Sequence, residues 1–339
     1  MKFPFTLAFD DQIFKLQKFG GISRYFEALI SNSARITTSS LNNLNRKQIN
    51  AIAQANETTI VHATYYKGKP YELPGDQRLI STLHDMAPER YPEFFFLSNL
   101  RSPHANKIKW LENSDTIISV SASSADDFSF FRPTTSKKIK VVHHSTTLGL
   151  IAPQPIKRLV SRPFYLFVGK RNGYKNGLLL FRLFSILIKR HLSNKDSPIL
   201  VFAGGETFSS KEIKAIRDNG IYDKIMHCLP NDNELSWLYR SCKAVLVPSF
   251  IEGFSFPLIE ALTCNAVVFA SDIEAHREIG GSFCTLLSPN NVNTWVDCIL
   301  SHNLRPPLQT LGQESYDKLV EYYSIDRFMA EHARVYGAS

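Results

Sequence analysis

Ala244-Val245-Leu246-Val247-Pro248-Ser249-Phe250-Ile251-Glu252-Gly253-Phe254-Ser255-Phe256-Pro257-Leu258-Ile259-Glu260 reads as an apolar strand, a tight turn and the opening of a helix. The strand stops at Pro248-Ser249, and Pro257 suits the first turn of a helix because its φ is already helical. Strand, turn and helix in this order form the repeating unit of a parallel α/β sheet. The turn carries one acid, Glu252, and the helix carries a second, Glu260, eight positions on. A helix N-terminus presents unpaired N–H groups and partial positive charge, so phosphate oxygens sit well there. Carboxylates beside it accept hydrogen bonds from sugar hydroxyls. A ligand that is both anionic and rich in hydroxyls fits this stretch, and a nucleotide sugar has both properties.

Outward from that unit, the same alternation runs along the whole chain. Strands are expected at Phe5–Phe9, Thr59–Ala63, Leu79–His84, Thr116–Val120 and Lys140–His144, with helices near Ile22–Ser33, Phe94–Glu112 and Ala122–Phe131. A second series has strands at Phe164–Val168, Ile199–Ala203, Ile225–Leu229, Ala244–Val247, Val267–Ala270 and Thr285–Leu287. Its helices are expected near Gly177–His191, Ser210–Asn219, Asp232–Cys242, Pro257–Cys264 and Val292–Ser301. Two α/β halves meeting at a cleft follow, and in such sheets ligands bind at the strand C-termini. The expected boundaries are a first domain over 1–150, a proline-bearing linker over 151–163 and a second domain over 164–305. Helices over 306–339 are expected to pack back on the first domain.

The chain has 339 residues, 44% of them hydrophobic and 21% charged, the balance of a globular protein with about two domains. No apolar run reaches the roughly 18 residues of a membrane span. Met1–Phe9 lacks the basic start and cleavage site of a signal peptide and reads as a first core strand. The five cysteines, Cys228, Cys242, Cys264, Cys284 and Cys298, include no CxxC pair. Neither a zinc site nor a disulfide framework is indicated, and a cytoplasmic location is expected. Net charge is +8; residues 1–155 hold 18 Lys+Arg against 13 Asp+Glu, and the remainder 21 against 18. That excess suits phosphate-bearing ligands or an anionic membrane face. No long basic block or nucleic-acid module is present, so a nucleic-acid partner is not expected.

Gly169-Lys170-Arg171-Asn172-Gly173-Tyr174-Lys175-Asn176 closes the first strand of the second series. It places Arg171 and Lys175 on a strand-to-helix loop, beside the same cleft as the Glu252 turn. Two cations there would neutralise a diphosphate as charge builds on a leaving group. Taken alone, the loop reads equally as a solvated helix cap, and Glu252 as a helix-capping acid.

Five stretches carry a resemblance: GGISRYF at 20–26, LHD at 83–85, GKRNGYKN at 169–176, FAGG at 202–205 and PSFIEGFSFPLIEAL at 248–262, the last continued by SDIEAHREIGG at 271–281. On these residues the chain resembles the family 4 retaining glycosyltransferases of the GT-B fold (glycosyltransferase group 1), and the bacterial mannosyltransferases among them. The resemblance implies two Rossmann-like parallel-sheet domains facing across a cleft. It implies that Arg171 and Lys175 contact the donor diphosphate and that Glu260 holds the ribose hydroxyls. Glu252 is then expected at the donor sugar, with the backbone of Gly253, Phe254, Ser255 and Phe256 around phosphates and sugar. Gly20 and Gly21 match a glycine-rich loop of the first domain that approaches phosphate or acceptor, and His84 matches a histidine that touches the transferred sugar. Two positions depart from the family pattern: Ser255 and Asn265 stand where it has glycine. Asn tolerates a left-handed backbone, and neither change removes a charged group.

The activity implied is transfer of a hexose, with mannose from GDP-mannose the first candidate, to a saccharide acceptor, free or lipid-linked, in surface-polysaccharide or O-antigen assembly. No cofactor or metal is expected: the chain has no DxD triplet, and the two cations supply positive charge. Pro92-Glu93-Phe94-Phe95-Phe96-Leu97, with Arg101, Lys107, Lys109 and Trp110, is aromatic and basic. It reads either as a peripheral contact with the inner membrane face or as core. A non-catalytic nucleotide-sugar-binding subunit is the alternative function. A nicotinamide oxidoreductase is disfavoured because no G-x-G-x-x-G follows a strand.

Overall fold

The computed structural model describes every residue except 1, 2, 19, 56, 57, 96–105, 172, 192–196, 302–308, 310, 311, 338 and 339. The chain divides into two compact units, Met1–Ser145 with Tyr323–Ser339, and Thr146–Tyr322.

The first unit is built on six parallel strands, β1 (Phe3–Asp10), β2 (Thr37–Leu44), β3 (Thr59–Ala63), β4 (Arg78–Leu83), β5 (Thr116–Ser119) and β6 (Ile139–Val141), in the order β2-β1-β3-β4-β5-β6. Parallel neighbours require crossovers, which here include helices α1 (Gln12–Leu16), α2 (Gly21–Ser31), α3 (Arg46–Ala55), α4 (Ala87–Arg90), α5 (Lys107–Glu112) and α6 (Ala122–Phe131). Central strands covered on both faces are buried along their whole length, as is Thr-Ile-Val-His-Ala of β3. The edge strand β2, Thr-Thr-Ser-Ser-Leu-Asn-Asn-Leu, is largely open to solvent, so it carries no apolar run and the sequence pattern passes over it. Of the helix expected over Phe94–Glu112, the described part is α5 at its end; residues 96–105 lie outside the described residues.

The last helix, Ile325–Gly337, buries Phe328, Met329, Val335 and Tyr336 in this unit's core. A chain of hydrogen bonds fastens it. His332 Nδ1 lies 2.8 Å from the Phe328 carbonyl, so that nitrogen carries the proton and Nε2 accepts from Tyr25 Oη at 2.7 Å. Thr82 Oγ1 donates to Tyr25 Oη at 3.3 Å and accepts from His62 Nε2 at 2.7 Å. That leaves His62 Nδ1 to accept from Tyr336 Oη at 2.7 Å. Both histidines are therefore neutral, and burial holds each below its ordinary range.

The second unit repeats the plan with β7 (Phe164–Val168), β8 (Ile199–Ala203), β9 (Ile225–Cys228), β10 (Ala244–Val247), β11 (Val268–Ser271) and β12 (Thr285–Leu287), in the order β12-β11-β10-β7-β8-β9. Its described helices are α7 (Gly177–His191), α8 (Ser210–Asp218), α9 (Asp232–Ser241), α10 (Phe256–Thr263), α11 (Glu274–Gly280), α12 (Val292–Ser301) and α13 (Gln313–Tyr322). Two of them start on capping boxes, Ser209 with Glu212 and Asn231 with Glu234, which satisfy otherwise orphaned N–H groups. The proline-bearing stretch 151–163 lies against α9 of this unit: Asn233 and Ser236 donate to the carbonyls of Ala152 and Ile151, and Gln154 N donates to the Asn233 carbonyl. Strand order turns at β7, with β8 and β9 to one side and β10 to β12 to the other. The loops after β7 and β10 flank the crevice that such a switch point places at the C-terminal ends of its strands.

Candidate active site

Both flanking loops of that crevice supply charge. Lys175, in the turn after β7, places Nζ 2.7 Å from each carboxylate oxygen of Glu252, in the turn after β10. Ser249 Oγ donates to Glu252 Oε1 at 2.6 Å. Glu252 is buried apart from 9% of its surface, and Lys175 keeps a quarter of its side chain exposed. Backbone contacts hold the two loops in register. Phe250 N donates to the Tyr174 carbonyl at 2.8 Å, and Asn176 Nδ2 lies 3.1 Å from the carbonyls of Pro248 and Pro289. Asn176 takes a left-handed φ of 54°, a conformation Asn tolerates better than most residues. Gly177 follows because a Cβ there would stand 2.6 Å from the Arg171 carbonyl oxygen.

The opening of α10 lies next to this pair. Ser255, just before the helix, has φ 84° and ψ 77°, and its Oγ is buried without a partner among the described residues. An unsatisfied buried hydroxyl costs about 1–3 kcal/mol, so this is a place where stability has been given up. Gly253 and Phe254 are buried, and the rings of Phe254 and Phe256 meet edge to face at 6.2 Å. Glu260, one turn into α10, is buried and accepts from Tyr239 Oη at 2.9 Å.

Arg171 keeps different company from Lys175. Its Nε is 2.7 Å from Glu212 Oε1, and its Nη2 donates to the carbonyls of Glu206 at 2.6 Å and Thr207 at 3.2 Å. The guanidinium lies 4.6 Å from the centre of the Phe208 ring. Burial raises the affinity of Glu212 for protons, but bonds from Arg171 and Ser209 outweigh it and hold Glu212 below its usual range. The sequence places Arg171 and Lys175 side by side, whereas the fold turns Arg171 into the β8–α8 loop and Lys175 toward Glu252. Gly205 permits the approach of that loop: with φ 68°, it brings its Cα where a Cβ would meet the Gly169 oxygen at 2.8 Å.

Gly20, Gly21 and His84 belong to the first unit. Gly20 caps α2, Gly21 begins it, and the Ser23 hydroxyl donates to the Gly20 carbonyl at 3.0 Å. His84 follows β4, nearly buried, with its ring edge-on to Tyr25 and Phe26 of α2 at 5.5 and 5.9 Å. Of the aromatic and basic stretch near residue 100, Phe96, Leu97 and Arg101 lie outside the described residues. Trp110 is core, its Nε1 donating to Gly68 at 3.1 Å. Lys107 is also core, its ammonium bound to the Asp85 carbonyl and to Glu89 at 2.7 Å. Neither side chain is available to a membrane surface.

Three site residues escape a reading of the sequence alone. Ser249 and Asn176 sit inside the quoted motifs, but only the fold shows that one orients Glu252 and the other ties the loops. His276 looks like a surface residue of a short helix, yet it is fully buried and its electrostatic neighbours are Glu252 and Lys175.

Two parallel sheets of this order, with charged groups at the switch point of the second, can be set beside known proteins. Residues 153–301 match the family Glycosyl transferases group 1. The structure of WaaG, a glycosyltransferase involved in lipopolysaccharide biosynthesis, superposes with a TM-score of 0.71 at 15% identity, covering 98% of this chain and 100% of that one. Sucrose-phosphate synthase from Thermosynechococcus elongatus gives 0.72 at 14% identity, covering 98% of both. The chain thus has the GT-B fold of glycosyltransferases, and its residues 153–301 are a group 1 glycosyltransferase domain. Among sequence relatives, O-antigen chain mannosyltransferase B of Escherichia coli is 22% identical over 75% of this chain and 67% of its own length. O-antigen chain mannosyltransferase RfbU of Salmonella typhimurium is 24% identical over 64% and 59%. The second match spans less than two thirds of the relative.

Proposed function

We propose that this chain moves a hexose, mannose first among candidates, from a nucleotide diphosphate sugar to a hydroxyl of a saccharide acceptor in surface-polysaccharide assembly. The observation that carries the reading is Lys175 held 2.7 Å from both oxygens of Glu252 at the switch point of the group 1 domain. A cation for diphosphate beside an acid for sugar hydroxyls matches both ends of such a donor. Relatives named as O-antigen mannosyltransferases favour mannose and hence GDP-mannose. A lipid-linked acceptor would bring a cytoplasmic enzyme to the inner membrane face; among the described residues no helix is long and apolar enough to cross it.

In this reading Glu252 binds the sugar, the backbone of Gly253 to Phe256 faces phosphate and sugar, and Glu260, steadied by Tyr239, takes the ribose. Gly20, Gly21 and His84 serve the acceptor and the transferred sugar. Arg171 has its Nε and Nη2 engaged by Glu212 and the β8–α8 loop, so Lys175 is the first cation assigned to the diphosphate. The sugar–phosphate bond breaks and the acceptor oxygen bonds on the face just vacated, retaining configuration. The departing diphosphate oxygen receives the acceptor proton, and Lys175 offsets the charge that builds there without a metal ion.

Incubation of the chain with GDP-mannose and saccharide acceptors in EDTA, followed by proton NMR of the product, tests this. Transfer with the donor's anomeric configuration is expected. An inverted product contradicts the mechanism, and transfer that stops in EDTA contradicts metal independence.

A further inference from the structure

His276, at the heart of α11, is fully buried. Its Nδ1 is 2.8 Å from the Ser271 carbonyl, which can only accept, so Nδ1 carries a proton and the neutral ring keeps a lone pair on Nε2. Nε2 is shut off from solvent and meets no donor among the described residues. Charged groups acting on the ring from other elements are Glu252 and Lys175. Glu260 of the adjacent α10 is engaged by Tyr239. On its own helix Arg277 is paired with Asp272 at 2.6 Å, and the remaining charges are Glu274 and Glu278. Burial holds the ring below its ordinary range, Glu252 draws it up and Lys175 presses it down.

The Lys175–Glu252 pair has a difficulty built into it. A diphosphate competes for Lys175, whose ammonium is the exposed partner, and Glu252 would then be left nine-tenths buried with the Ser249 hydroxyl. A buried carboxylate stripped of its cation is strongly unfavourable. We propose that His276 is a positioning residue for Glu252: as Lys175 turns to the donor's diphosphate, a proton passes from solvent through the space it vacates to Nε2 of His276, which becomes the counter-charge that keeps Glu252 ionised and in place. The proton leaves again when Lys175 returns. This rests on the transferase reading of Lys175 and Glu252, and it assigns a role to a nitrogen that the reading otherwise leaves unexplained.

The test combines calorimetry with ring NMR on the full chain. Binding of GDP, UDP and ADP is measured near neutral pH in buffers of different ionisation enthalpy, for wild type and His276→Asn. Asn keeps an N–H for Ser271 but cannot be protonated. Wild type is expected to take up more protons on binding than the variant does, with the variant still binding. In nucleotide-free Lys175→Ala, Glu252 already stands alone, so the His276 ring is expected to hold its proton roughly tenfold more tightly than in wild type. Glu252→Gln provides the converse arm, since without a carboxylate the extra uptake disappears. Equal uptake by wild type and His276→Asn, or an unmoved ring titration in Lys175→Ala, overturns the proposal. Failure of wild type to bind any of the three nucleotides contradicts the transferase reading instead, and the ring titration still decides the coupling of His276 to Glu252.

Discussion

Ser255 holds φ 84° at the start of α10, a conformation that strains any residue with a Cβ by about 1–2 kcal/mol. Its hydroxyl gains nothing in exchange within the described structure. Replacing it by glycine removes both penalties and adds back about 0.5–1 kcal/mol of chain entropy in the unfolded state. Ser255→Gly is therefore expected to raise the stability of the second unit by about 1 kcal/mol, read from the denaturation midpoint. A lower midpoint would mean the hydroxyl is satisfied. At this scale the sequence was legible where chemistry is local. Glu252, Ser255 and Asn265 stand in one turn-and-helix unit, and Asn265 adopts the left-handed φ of 57° that its replacement of glycine implies. Arg171 was not legible in the same way. Its partner Glu212 lies 41 positions on, in the first turn of α8, which meets it only after β7 and β8 pair, and no spacing rule reports such a contact.

At the scale of elements, the C-terminal helix Ile325–Gly337 depends on two neutral histidines. Burial lowers His332 to about 4, against 6.5 for an unfolded histidine, and pushes His62 down as well. Above pH 6.5 neither the folded nor the unfolded form is protonated, and the stabilisation is complete. Between 6.5 and about 4 the unfolded chain binds protons that the folded one refuses, so stability falls as pH falls. The slope is about 1.4 kcal/mol per pH unit for each proton taken up. Protection of the 325–337 amides, taken as exchange relative to the intrinsic rate at each pH, is expected to fall below pH 6.5 and to lose part of that dependence in His332→Gln. Protection indifferent to pH across this window would show the network is not closed as drawn. Element assignments from sequence succeed where strands are central and apolar. They miss β2 and α3, which bury little and so need not advertise it, and α11, whose seven residues are too few to display a helical period.

For the whole molecule, two series of alternating strands and helices foretell two parallel sheets, and the family match and fold agreement bear out the GT-B class. Strand order is a different matter. Nothing in the residues of β7 and β10 declares that they pair, yet that pairing opens the crevice and brings Lys175 to Glu252. The proposed function therefore rests on a juxtaposition of loops more than on either motif. The most direct test is a panel of nucleotide sugars scored for thermal stabilisation and slow donor hydrolysis on wild type, Lys175→Ala and Glu260→Ala. One donor is expected to stabilise and be turned over by wild type, GDP-mannose first, with hydrolysis at least about tenfold slower in both variants, equivalent to losing one interaction of roughly 1.4 kcal/mol. Stabilisation and turnover that persist unchanged in Lys175→Ala, or no response of wild type to any donor, would contradict the assignment of this crevice as the donor site.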